Sequence, residues 1–149
     1  MLARLTLVIN SDLADVSLVA IAINKSCLYL GLDEVRAGEV ELCIVEAVTN
    51  VIRHSYHGES GHAVSVAIAT SVDQLHFYVL DNGTPMKSEA IEKLVHGVSV
   101  NESGQMTSAT LSEGGRGLQI IHELMDEVAY TQDGRQNCLA LMKHIGAAD

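Results

Sequence analysis

Hydrophobic and polar positions follow two rhythms along the chain. From Leu2 to Asn10, Leu5, Leu7 and Ile9 alternate with Arg4, Thr6 and Val8, the period of two that a half-buried strand requires. Ser11 and Asp12 then offer a helix cap. A largely apolar helix is predicted from about Leu13 to Leu30, ending at Gly31. Asp33 and Glu34 suit the positive end of a second helix, which the spacing carries to about His57, with Gly58 to Gly61 as its exit loop. HAVSVAIAT and QLHFYVL read as two strands across the turn Ser71 to Asp73. In the second strand Leu75, Phe77 and Val79 share a face. Strict alternation places Asp81 in the same row, pointing at whatever covers the sheet, where a carboxylate must find a donor.

From Thr84 to Glu113 the pattern dissolves into Pro, Gly, Ser and Thr, with one short helix near Glu89 to Val95. A stretch this long inside a small domain predicts a lid or mobile loop. LSEGGRGLQIIHELMDEV places Gly114, Gly115 and Gly117 ahead of an amphipathic helix carrying Leu118, Ile121, Leu124 and Met125. EVAYTQ, the turn Asp133-Gly134 and NCLALMKHI close the chain as a hairpin. This order predicts a single α+β domain over residues 1–149. It is a two-layer sandwich of a mostly antiparallel, mixed sheet with helices on one face, able to hold a ligand between its layers.

The second helix is the centre of interest. In EVELCIVEAVTNVIRHSYH, Val40, Cys43, Ile44, Ala47, Val48, Val51 and Ile52 recur at helical spacing, which leaves Glu46, Asn50, Arg53 and His54 one and two turns apart on another face. A solvated polar stripe is the ordinary meaning of such a face. Its chemical meaning is that a carboxylate and a carboxamide at i and i+4 can hold a divalent cation beside a reacting hydroxyl, since both are oxygen ligands of the type magnesium takes.

Composition narrows the choice. The 149 residues are 48% hydrophobic, enough for one real core, and carry a formal charge of −10. No Trp and one Phe leave few platforms for stacking bases, and the negative surface repels polyanions, so direct nucleic-acid binding is not expected. Cys27, Cys43 and Cys138 are odd in number and set in apolar contexts, which suits buried reduced thiols. The apolar run Val16 to Ile23 is too short to span a membrane. A soluble cytoplasmic protein is expected.

Each glycine motif alone has a plain structural explanation: Asp81-Asn82-Gly83 as a turn, Gly114-Gly115-Arg116-Gly117 as a hinge before a helix. The second can also bring backbone N–H groups and a helix N-terminus up to phosphate oxygens, although it lacks the Lys-Ser/Thr ending of a P-loop. The combination is more specific. EAVTN, then DNGTP, then GGRGL after a long intervening stretch resemble the nucleotide-binding boxes of the Bergerat-type, histidine-kinase-like ATP-binding superfamily. Within it the chain looks most like the anti-sigma regulatory factors, which are serine/threonine protein kinases, and the resemblance covers nearly the whole chain.

The resemblance implies ATP and magnesium as ligands. Asn50 would coordinate the metal, Glu46 would act as general base on the acceptor hydroxyl, and Asp81 would accept a hydrogen bond from the adenine amino group. Gly83 would allow close approach to the base, and Gly115 and Gly117 would present amides to the phosphates. Arg53, His54, Arg116 and Leu118 complete the binding set. A sigma factor, a STAS-type anti-anti-sigma protein and a second copy of the chain, meeting through the first strand and first helix, are the implied partners. Three departures bear on phosphotransfer before they bear on binding. Thr84 and Pro85 follow DNG, Glu113 stands where some of these kinases carry a basic residue, and Cys138 stands where a hydroxyl often helps to hold adenine. Two functions follow: a serine kinase that also sequesters a sigma factor, or a non-catalytic module whose partner binding depends on nucleotide. A histidine kinase or gyrase-type ATPase is not expected, because neither a phosphoacceptor helix nor a transducer domain accompanies the boxes.

Overall fold

Five strands, β1 (Ala3–Asn10), β2 (Ala63–Ser71), β3 (Gln74–Asp81), β4 (Glu127–Asp133) and β5 (Gln136–His144), form one sheet in the order β1-β2-β3-β5-β4. The computed structural model describes residues 3–97 and 113–146. Every described pairing is antiparallel, so the sheet is not mixed as predicted. The reason lies in the connections. Two are hairpins, and the helical excursion after β1 returns the chain to the end of β1 that it left, where Asn10 pairs with Ala63.

Four helices cover one face among the described residues: α1 (Val16–Tyr29), α2 (Glu34–Asn50), α3 (Ser88–His96) and α4 (Glu113–Leu124). Alternation decides which side chains they meet. Val64, Val66 and Ile68 of β2, Leu75, Phe77 and Val79 of β3, and Leu139 and Leu141 of β5 are all buried. Against them lie Val19, Ile23 and Cys27 of α1, Val40, Cys43, Ile44, Ala47 and Val48 of α2, and Leu118 and Ile121 of α4. Each large aliphatic or aromatic side chain so buried contributes about 1.5–3 kcal/mol before entropy is counted. Among the described residues no helix is long and apolar enough to cross a membrane.

Two basic residues tie the helical layer to the sheet. Asp33 caps α2 by accepting from the Arg36 amide at 2.8 Å, and the Arg36 guanidinium donates to the carbonyls of His144, Ile145 and Gly146 beyond β5. Lys143, buried on β5, bonds to Glu39 of α2 at 2.8 Å and donates to the carbonyl of Leu124 at the negative end of α4.

Three predicted boundaries change. The second helix does not run regularly to His57: after Asn50 it widens into a π-helical turn, Val51–Ser55, where Tyr56 N–H reaches back to the carbonyl of Val51 at 3.0 Å. Within 84–97 the predicted short helix is present as α3, one residue longer at each end, and the stretch is bonded to later elements. Met86 N–H donates to the Tyr130 hydroxyl at 2.9 Å, α3 buries Leu94, and His122 Nδ1 lies 3.1 Å from the carbonyl of Leu94. The remainder of the predicted lid, 98–112, lies outside the described residues. Finally, the glycines do not precede the last helix but form its first turns, within Glu113–Leu124. Gly115 and Gly117 are buried there, and the missing Cβ at Gly117 lets α4 lie close against Glu46 and Asn50 of α2.

Candidate functional site

Glu46 and Asn50 sit one turn apart on α2, both half-buried, and face α4. A Cβ placed on Gly117 would stand 2.5 Å from Glu46 Oε2 and 3.5 Å from Asn50 Nδ2. The two boxes therefore touch, and only glycine fits at 117 without displacing the carboxylate. Gly115 and Gly117, the two residues predicted to present amides to phosphates, both lie in the first turns of α4 within the described residues.

Asn50 Nδ2 is buried and has no hydrogen-bond partner among the described residues. Rotating the carboxamide by half a turn would put Oδ1 in its place without breaking a bond, leaving a carboxylate and a carboxamide oxygen side by side. That is the donor chemistry of a magnesium site, so the residues fit the ion that the resemblance implies.

The second cluster lies at the end of β3. Asp81 is 5% exposed, in the inward row predicted from alternation, and it has its donors. Its Oδ1 accepts from the Gly83 amide at 2.9 Å and from Asn137 Nδ2 at 2.9 Å, and the same Nδ2 donates to the Gly83 carbonyl at 2.9 Å. The turn is stitched to the end of α2 as well. Thr84 N–H donates to the Ser55 carbonyl at 2.8 Å, His57 Nε2 lies 3.0 Å from Thr84 Oγ1, and the Tyr56 hydroxyl accepts from Asn82 N–H at 2.9 Å while donating to the Ala63 carbonyl. Tyr56 stacks on His62 with ring centroids 4.6 Å apart. Gly83 is required by this seam: a Cβ there would run into the Ser55 backbone. Beside the turn opens a cavity of about 390 Å³ lined by Ser55, Tyr56, His57, Asn82, Gly83 and Thr84.

The remaining predicted residues are less uniform. Arg53 and His54 fall in the π-turn and are exposed. Arg116 is exposed on α4. The Leu118 side chain packs into the core, so only its backbone is left to face a ligand.

Cys138 does not take the place of an adenine-holding hydroxyl. It is one residue out of register, paired with Leu80 and Thr131 on the face away from the helices, and Asn137 is the residue opposite Asp81. Burial pushes the Cys138 thiol up, with a hydrogen bond to the Thr131 side chain opposing that. Cys27 and Cys43 are pushed up to about 12, chiefly by burial, and stay neutral thiols. Asn137, Tyr56 and Tyr130 escaped the sequence reading. Tyr130 is half-buried, and its phenol is pushed up mainly by burial, with the Asp81 charge adding to the effect. The signal for Asn137 was present in principle, since a polar residue at an inward strand position needs a reason, but its partner is 56 residues away.

Residues 9–143 match the family described as the histidine kinase-like ATPase domain. The serine-protein kinase RsbW of Listeria monocytogenes is 27% identical over 130 residues, which cover 87% of this chain and 80% of that protein. RsbW of Bacillus velezensis is 31% identical over 90 residues, covering 60% and 54%. Among solved structures, a chain of the SiaB-SiaC complex from Pseudomonas aeruginosa matches with a TM-score of 0.60 at 18% identity, over 92% of this chain and 88% of that one. The Acinetobacter baumannii histidine kinase AdeS matches with a TM-score of 0.52 at 12% identity, over 95% and 68%. At these identities the two structures speak to the fold, which is the same α+β sandwich.

Proposed function

The chain belongs to the histidine kinase-like ATPase domain family, and from that premise we propose that it is an ATP-dependent serine protein kinase that doubles as a cytoplasmic anti-sigma factor. Its substrate is a small anti-anti-sigma protein of the STAS type, in the place SiaC holds in the SiaB-SiaC complex, and the kinase name carried by RsbW relatives supports the reaction class. The observation that carries this reading is the contact of Gly117 with Glu46 and Asn50, while Asp81 is held at the other end of the same helix through the Ser55–Thr84 seam.

In this reading Glu46 takes the proton of the acceptor serine as its oxygen bonds to the terminal phosphorus of ATP and the bond to the departing ADP breaks. Asp81 orients the base, and the amides of Gly115 and Gly117 at the start of α4 face the phosphate oxygens. Asn50, with Glu46 beside it, would hold magnesium, which when bound offsets the triphosphate charge in this acidic chain. The product serine phosphate adds roughly two negative charges. A chain of net charge −10 repels it, so phosphorylation releases the antagonist and frees the kinase for its sigma factor. The exposed Leu18, Ile21 and Tyr29 of α1 support a second copy of the chain as a partner on that side.

One observation favours a second reading, a non-catalytic module regulated by nucleotide: Glu113, at the start of α4, stands where some of the kinases that the sequence resembles carry a basic residue. Incubation with magnesium, labelled ATP and candidate STAS-type proteins separates the two. Transfer of label to serine that is lost in Glu46→Ala, with ATP binding intact, supports the kinase. ATP-dependent partner binding without transfer to any of them supports the module.

A further inference from the structure

Lys143 is a buried charge that the proposed chemistry does not use. It follows Leu139 and Leu141 in the inward row of β5 and is 6% exposed, and its ammonium donates to Glu39 Oε2 at 2.8 Å and to the carbonyl of Leu124, the last residue of α4. Stability does not account for a lysine there. Taking an ammonium and a carboxylate out of water is costly, and apolar side chains of similar volume commonly replace such a pair at no loss. What the pair adds is direction. Glu39, Cys43, Glu46 and Asn50 fall on one stripe of α2, each about one turn from the next. Gly117 meets the Glu46 and Asn50 end of that stripe; two turns along α4, Leu124 is joined through Lys143 to Glu39, two turns back along α2. The helices are thus matched at both ends. Between the ends Cys43 is wholly buried, and burial pushes its thiol up to about 12 while the charges of Lys143, Glu39 and Glu46 all act on it, as a shared stripe requires. The exit of α4 is tied to β5 as well: Asp126 N–H donates to the Met142 carbonyl at 2.9 Å, and His144 N–H donates to the Asp126 carboxylate at 2.7 Å. Lys143 extends that tie to α2.

We propose that Lys143 is a positioning residue for the phosphate end of the site: by holding the last carbonyl of α4 to Glu39 it fixes the register of α4 along α2, and so keeps Gly117 against Glu46 and Asn50. This rests on the nucleotide-binding reading above. Apolar burial is non-directional, so without Lys143 the helices stay packed but α4 is free to slip along α2. The glycine amides then no longer stand where the triphosphate needs them.

The test is a pair of substitutions in the full chain, Lys143→Met and Glu39→Gln, read by amide chemical shifts without nucleotide and by calorimetric titration with magnesium and ATP. Lys143→Met is expected to move the Gly115 and Gly117 amide signals, two turns and more from Leu124, to leave those of Asn82 and Gly83 in place, and to weaken ATP about tenfold. In Glu39→Gln the part-exposed side chain still accepts from Lys143, so the same two signals move in the same direction by less. That second variant keeps the test open if Lys143→Met folds poorly. Shift changes confined to the neighbours of residues 39, 124 and 143, with ATP affinity within about twofold of the parent, mean a local structural role and overturn the proposal. Changes that reach Asn82 and Gly83 equally overturn it too, because a general loosening would then be responsible. A parent chain that binds no ATP defeats the proposed function along with this inference, whereas a parent that binds ATP and variants that bind it equally well defeat this inference alone.

Discussion

At the Asp81 end of the site, side chains and backbone are already bonded into place: Ser55, Tyr56, Asp81, Asn82, Gly83, Thr84 and Asn137 are joined by five hydrogen bonds that need no ligand. At the Glu46 end the contact is a glycine of α4 laid against a carboxylate, with Asn50 Nδ2 left unserved. The first is built on strand termini, where pairing register fixes direction. The second depends on how close one helix lies to another, a distance that can change by a small movement of α4. A base-reading end that is rigid and a phosphate end that is adjustable would let the nucleotide dock by its base first and order α4 second.

The largest effect should come from the rigid end. Asp81→Ala removes the acceptor at the base and is expected to weaken ATP roughly 100-fold, as measured by titration calorimetry, with circular dichroism close to that of the parent. Affinity within twofold of the parent would move the base elsewhere. At the adjustable end, Gly117→Ala displaces the Glu46 carboxylate, the far end of a flexible side chain, which offsets the gain in helix propensity and should leave stability in urea unfolding within about 0.5 kcal/mol of the parent. Gly38 is the control on the same helix pair. Nothing lies within 4 Å of a Cβ added there, so Gly38→Ala should stabilise α2 by about 0.5–1 kcal/mol. Equal effects of the two substitutions would mean that helix propensity, not packing on Glu46, decides both.

The smallest effect concerns neither end and calibrates the scaffold between them. Hydrogen bonds from the Arg36 backbone and side chain hold the exposed Asp33 carboxyl below its ordinary 3.8. A carboxyl lowered in the folded state contributes above its unfolded pKa and loses that contribution as pH falls through the folded one. Asp33→Ala should therefore lower the melting temperature slightly near neutrality, and the difference should close in the region below about pH 4.

Most of this architecture was legible because the two hydrophobic periods are clean. The alternation of Leu75, Phe77 and Val79 correctly gave the inward direction of Asp81, and the spacing from Val40 to Val48 gave the buried face of α2. What escaped was whatever depended on contact across the fold. Asn137 looks like a turn residue until β5 is set beside β3, and the difference between it and Cys138 is one step of register, which reverses the face. Gly115 and Gly117 read as a break because glycine disfavours helices; packing of Gly117 against α2 overrides that local preference. The short helix within 84–97 was legible, but what fixes the stretch was not, because Tyr130 and His122 belong to later elements.

The central claim is that α2, the Asp81–Gly83 turn and the start of α4 enclose one nucleotide. The most direct test is a crystal structure of the chain grown with magnesium and a non-hydrolysable ATP analogue. The account predicts the base against Asp81, and the phosphates between Asn50 and the amides of Gly115 and Gly117. A nucleotide bound on another surface, or none at saturating concentration, would contradict it.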